Sequence, residues 1–111
     1  MRQSYYNPED LKKFGDIGDF QKPLADHFFS YYSAVFEAGA LSEREKCLIA
    51  LAVAHTVQCA YCIDAYTTNS LEKGANEQQM MEAVHVAAAI KAGSTLVHSV
   101  QMINKVKSIS M

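Results

Sequence analysis

The chain has 111 residues, half of them apolar and a fifth charged, with a formal net charge of −2. That length supports one domain with a modest core. The near-balanced charge, with no Lys/Arg run or basic stripe, argues against a nucleic-acid partner, and the longest unbroken apolar run, residues 47–54, is too short to cross a bilayer.

The N-terminal stretch "MRQSYYNPEDL" lacks the apolar segment of a secretory signal, so the chain reads as soluble and cytoplasmic. Three cysteines are present, Cys47, Cys59 and Cys62. In a reducing compartment a close pair such as Cys59 and Cys62 points to catalysis, redox chemistry or metal binding rather than to a structural disulfide.

The only prolines, Pro8 and Pro23, lie in the first quarter, and everything after Pro23 reads as helix. A short helix is expected over residues 8–14, capped by Asn7 with Pro8 in its first position. Over residues 23–38, Leu24, Phe28, Tyr31, Tyr32, Ala34 and Val35 form an apolar stripe at helical spacing, with Gly39 as a stop. "SERE" is a capping box, Ser42 at the N-cap and Glu45 three residues on, opening a helix to about residue 57. The next helix spans residues 59–74 and ends at Gly74. Asn76 caps the last, over residues 77–104, bent at Gly93. "CLIALAVA" and "AVHVAAAI" are apolar nearly all the way round, where a surface helix shows one stripe. One small domain has few places to bury two such helices, so a homo-oligomer is expected. The aromatic run "HFFSYYSAVF" reads as core and interface, with a wall of an apolar pocket as the alternative.

"HTVQCAYCIDAYT" places Cys59 and Cys62 at the start of a helix, three positions apart on one face. Unpaired N–H groups and the positive end of the helix dipole stabilise a thiolate there, and dithiols so placed have pKa values lowered from roughly 8.5 to about 7 or below. Redox chemistry is the reading this placement favours. Zinc needs four ligands and the pair supplies two; His55, His85 or Cys47 would have to complete an irregular set. Two small residues buried in a core are the third reading.

The stretches "LSEREKCLIALAVAHTVQCAYCIDAYTTNSLEKGA" and "AVHVAAAIKAGSTLVHSVQM" resemble the carboxymuconolactone decarboxylase superfamily, and within it the alkylhydroperoxidase D-like branch. The likeness covers about residues 20–103. The finer wording, "YYNPEDLKKFGDIG" with "AVAHTVQCAYCIDAYT", resembles a peroxidase-like subgroup associated with arsenosugar biosynthesis. The resemblance implies an all-α fold of about five helices around a helical hairpin, assembling as trimers or hexamers, with a catalytic dithiol and no cofactor. It implies that Cys62 is oxidised by peroxide to a sulfenic acid. Cys59 then acts as proton donor and resolving thiol, and exchange with a lipoyl or thioredoxin-type reductant restores the pair. The branch that decarboxylates a muconolactone lacks this dithiol.

Two positions depart from the branch. Its proton relay uses a Glu twelve residues before the first cysteine and a His four after the second, where this chain has Cys47 and Tyr66. Tyr66 shares a helix face with Cys62, but a phenol titrating near 10 is a poor base at neutral pH, whereas a His near 6.5 is well suited. Glu45 is turned by about 200° from the missing Glu and reads first as the partner of Ser42. His55, in the last turn of its helix, is either a site residue or a dipole-favoured helix end. His85, in an apolar run, reads first as a buried histidine and second as a site residue. Cys47 reads first as a small buried residue, and otherwise as a third redox thiol or a ligand for a soft centre. The leading expectation is a dithiol-dependent peroxidase or disulfide reductase, with Cys62 as nucleophile, Cys59 resolving, and Tyr66 with His55 or His85 tuning the pair. The rivals are a metal- or metalloid-binding thiolate protein and a scaffold with a vestigial site.

Overall fold

A computed structural model describes residues 5–110, and these are all helix and connecting turns. An N-terminal 3-10 helix, Pro8–Asp19, is followed by α1 Lys22–Phe36, α2 Glu43–Thr56, α3 Ala60–Glu72, α4 Glu77–Val97 and α5 Ser99–Ser110.

The local stop and start signals act as the sequence suggests. Asn7 accepts a hydrogen bond from the Glu9 N–H at 3.1 Å, with Pro8 next to it at the first helical position. Ser42 Oγ accepts from the Glu45 N–H at 3.0 Å while Glu45 Oε1 accepts from the Ser42 N–H at 2.8 Å, a complete capping box. Hydrogen bonding from Ser42, its backbone N–H first and its hydroxyl second, holds the exposed Glu45 carboxyl below the usual carboxylate range. Asn76 and Gln79 form a second box at the head of α4. At the end of α1, Lys46 Nζ reaches back from α2 to the Val35 carbonyl at 2.8 Å and to that of Glu37, occupying carbonyls the helix leaves free.

α2 is the central element, packed along α3 on one side and α4 on the other. Its buried residues, Cys47, Leu51 and Ala54, recur at i, i+4 and i+7, and Leu51 is 2% exposed. Tyr66 and Ser70 of α3 and Ala87 of α4, the helices that pack on α2, are buried as well. Most of these side chains are small, which lets the helices approach closely. A Lys73–Glu43 ion pair at 2.6 Å ties the end of α3 to the start of α2.

Two expectations need correction. The first helix extends to Asp19, beyond the short helix expected over residues 8–14, and runs as 3-10 turns; Gly15 and Gly18 lie within it, and glycine disfavours the α-helical interior. The long last helix is broken at His98, not bent at Gly93, which sits inside α4. At the break the Gln101 N–H bonds the His98 carbonyl three residues back, and the His98 ring lies 3.1 Å from Gln101 Oε1. The helical ladder is interrupted there by a 3-10-type turn.

The single chain is extended. Its radius of gyration is 19.2 Å, where a compact domain of this size has about 13 Å. Its accessible surface is 8908 Å², against roughly 6,100 Å² for a compact monomer of the same mass. The excess is carried largely by α4 and α5, where Val86, Ile90, Leu96, Val100, Val106 and Ile109 are exposed. No helix among the described residues is long and apolar enough to cross a membrane.

Candidate active site

The dithiol is presented by the way α2 ends. Val57 caps α2, and the next residue, Gln58, takes φ 58°, in the left-handed region. Its N–H bonds the His55 carbonyl at 3.3 Å, and the Cys59 N–H bonds the Ala54 carbonyl at 3.0 Å. These two bonds define a Schellman ending. The reversal leaves Cys59 in extended conformation as N-cap of α3, its sulfur accepting the Cys62 N–H at 3.2 Å. The Cα atoms of Cys59 and Cys62 are 5.2 Å apart and the two sulfurs are at disulfide-bonding distance, within the 4.4–6.8 Å span that disulfides need. Both cysteines are half-buried, so reagents can reach them.

Cys62 opens on two clefts. The wider, about 630 Å³, is walled by Tyr32, Phe36, Ile49, Val53 and Tyr66. The second, about 390 Å³, is lined by both cysteines, by Tyr61 and Tyr66 of α3, and by the N-terminal 3-10 helix. Tyr66 is 6% exposed and stacks on Phe36 at a centroid distance of 5.2 Å with ring planes 15° apart. It belongs to both dithiol clefts and also to a third, of about 410 Å³, which holds Cys47, Glu43, Asn69 and Lys73.

Cys47 thus lines a different cleft from the dithiol, one that shares Tyr32 and Tyr66 with both dithiol clefts. Burial pushes its thiol above the usual cysteine range, with the Lys73 ammonium pulling it partly back. Tyr32, which lines all three clefts, is likewise raised, first by burial and then by the Cys47 charge. Among the described residues no three His, Cys, Asp or Glu side chains are grouped as a metal ion would require.

The histidines are placed elsewhere. His55 is in the last turn of α2, and its Nδ1 lies 2.8 Å from the Leu51 carbonyl. A carbonyl only accepts, so that nitrogen carries the proton. His55 lines a separate cleft of about 300 Å³ with Ile63 and Thr67 of α3 and Met80 and Val84 of α4. Ile63 and Thr67 follow Cys62 and Tyr66 by one residue, which puts this cleft on a neighbouring face of α3. His85 is exposed on α4 rather than buried, because the apolar face around it has no cover within a single chain. The structure thus brings Cys59, Cys62 and Tyr66 to one cleft and gathers neither His55 nor His85 there.

Asp10 and Lys13, paired at 3.2 Å, also line the smaller dithiol cleft. Their spacing in the sequence reads only as a surface ion pair. Their position depends on how the 3-10 helix docks, for which the sequence carries no local signal.

Comparison with known proteins fits this architecture. The carboxymuconolactone decarboxylase family matches residues 22–105. "Uncharacterized protein 4 in cox locus" of Paracoccus denitrificans is 37% identical over 92 residues, 83% of each chain. A crystal structure of a protein from Methanobacterium thermoautotrophicum aligns with a TM-score of 0.72 at 34% identity, covering 76% of this chain and 94% of that one. With most of its length matched, the chain belongs to the carboxymuconolactone decarboxylase family.

Proposed function

We propose that this protein is a dithiol oxidoreductase of peroxidase type, in which Cys62 attacks a hydroperoxide and Cys59 resolves it. The observation that carries this reading is the Cys59–Cys62 pair, at disulfide-bonding distance on the first turn of α3 and open to two clefts. The helix N-terminus favours the thiolate.

The Cys62 thiolate attacks the distal oxygen of R–OOH, so an S–O bond forms and the O–O bond breaks. The leaving RO⁻ takes the Cys59 thiol proton and departs as ROH. The Cys59 thiolate then attacks the Cys62 sulfenic acid, forming the S–S bond and expelling hydroxide. The proton first lost from the Cys62 thiol converts that hydroxide to water. One peroxide is reduced by two electrons and one dithiol is oxidised by two. A small dithiol or a lipoyl or thioredoxin-type partner restores the pair by thiol–disulfide exchange. Tyr66, one turn beyond Cys62, adjusts the sulfur in place of a histidine. A trimer or hexamer covers the apolar faces of α4 and α5, in the cytoplasm.

Peroxide consumption in the presence of a dithiol reductant tests the reading. Wild type is expected to turn over and Cys62→Ser to lose turnover; equal rates for the two would refute it.

A further inference from the structure

The N-terminal 3-10 helix Pro8–Asp19 lies outside residues 22–105, the part matched to the family, yet it forms one wall of the cleft that holds both cysteines. We propose that this segment is the substrate-binding wall of the dithiol site, with Leu11 and Ile17 seating the apolar body of an organic hydroperoxide beside Cys62. The proposal rests on the peroxidase reading and assigns its selectivity.

The chemistry selects this cleft over the wider one. The leaving alkoxide needs a proton from Cys59 at the moment Cys62 attacks. The smaller cleft is lined by both sulfur-bearing residues, whereas the wider one touches Cys62 alone. The size selects the substrate. A cleft of about 390 Å³ falls in the range of small-molecule sites. Hydrogen peroxide, little larger than a water with its share of about 30 Å³, would leave it nearly empty.

The wall is also anchored. Phe14 packs against the rings of Phe29 at 5.1 Å, Phe28 at 6.1 Å and Tyr32 at 6.4 Å, all on α1. Gly18 comes so near α1 that a Cβ there would lie 2.9 Å from Ala25 Cβ. With Phe14 and Gly18 holding the segment, Leu11 and Ile17 are left for a ligand, and Ile17, 56% exposed, lines the cleft. The two charged residues of the wall, Asp10 and Lys13, pair with each other at 3.2 Å. An apolar ligand meets no unpaired charge from the wall.

The test compares cumene hydroperoxide with hydrogen peroxide as substrates of the full chain, reduced by dihydrolipoamide. Leu11→Ala and Ile17→Ala are expected to lower kcat/KM for cumene hydroperoxide on the order of tenfold, through KM, as loss of apolar contact in a pocket does. Hydrogen peroxide turnover should stay within about twofold. An equal fall for both peroxides, or no change for either, overturns the proposal. If wild type consumes neither peroxide, the peroxidase reading fails. The binding wall is then decided separately by methyl NMR of Leu11 and Ile17 during titration with 2-phenyl-2-propanol, the alcohol product. Shifts at these methyls, weakened in Leu11→Ala, support the wall, and unmoved methyls overturn it.

Discussion

The Cys62 N–H donates to the sulfur of Cys59 at 3.2 Å, so the first cysteine of the pair is also the N-cap of the helix that carries the second. Its structural and chemical roles separate on substitution. In the reduced protein, Cys59→Ser keeps a side-chain acceptor at the cap, and Cys59→Ala should be less stable than Cys59→Ser by about 1 kcal/mol. Both should lose resolution of the sulfenic acid. Urea denaturation under reducing conditions measures the difference; equal stability of the two variants would contradict the capping role.

Gln58 and Gly74 hold equivalent places in two Schellman endings, of α2 and α3, at φ 58° and 91°. In the second, the Gly74 N–H bonds the Leu71 carbonyl and the Ala75 N–H bonds that of Ser70. The left-handed region costs an L side chain about 1 kcal/mol, part of which glycine returns through its larger unfolded entropy. Gly74→Ala should therefore destabilise by about 1 kcal/mol, although its added methyl meets nothing within 4 Å. Gln58→Gly should stabilise by roughly 0.5 kcal/mol. Denaturant midpoints at constant m-value decide both.

Cys47 supplies a pH dependence. Burial raises its thiol above the ordinary range, so the folded state favours the protonated form. Its contribution is fully present below the unfolded pKa of about 8.5 and is lost as pH rises through the higher folded value. Stability should fall in that alkaline window, and Cys47→Ala should flatten the fall. Because Lys73 pulls the thiol down, Lys73→Gln should move the midpoint of Cys47 alkylation to higher pH. Iodoacetamide labelling of the folded protein against pH reads this; a midpoint moving downward would contradict the assignment.

Tyr66 shares the dithiol clefts, and no histidine does so among the residues that line them. Tyr66→His should place an imidazole one turn from Cys62, raising peroxide turnover at neutral pH. The gain should be roughly 10²-fold, the low end of general acid–base catalysis. An unchanged rate and pH profile would show that a base at this position does not limit the reaction.

The exposed apolar residues of α4 and α5 support the proposed assembly, whose subunit number is the one the resemblance implies. Light scattering at micromolar concentration should give three or six times the chain mass. A mass near 12.3 kDa would contradict it.

What the sequence made legible was mostly local. Ser42 with Glu45, Asn76, Gly74 and the helical entry of Cys59 are signals whose partners lie within three or four residues, and all act as read. The register of the histidines was harder. His55 follows Leu51 by four residues and so shares the face that turns toward α4, a relation that matters only once α4 is known to pack there. His85 lies in an apolar run that suggests burial, but that face is uncovered in the single chain. The docking of the 3-10 helix depends on Phe14 meeting the α1 rings, a tertiary choice that no spacing rule announces. Without it Asp10, Leu11 and Ile17 read as ordinary surface residues.

On this reading Cys59 and Cys62 form a working redox pair, and Cys47, which lines a different cleft, takes no part in it. Peptide mapping after stoichiometric peroxide tests it most directly. The expected result is a Cys59–Cys62 link within one chain with Cys47 free, and in Cys59→Ser a dimedone-trapped sulfenic acid on Cys62. A disulfide containing Cys47, or three unmodified thiols after prolonged exposure, would contradict it.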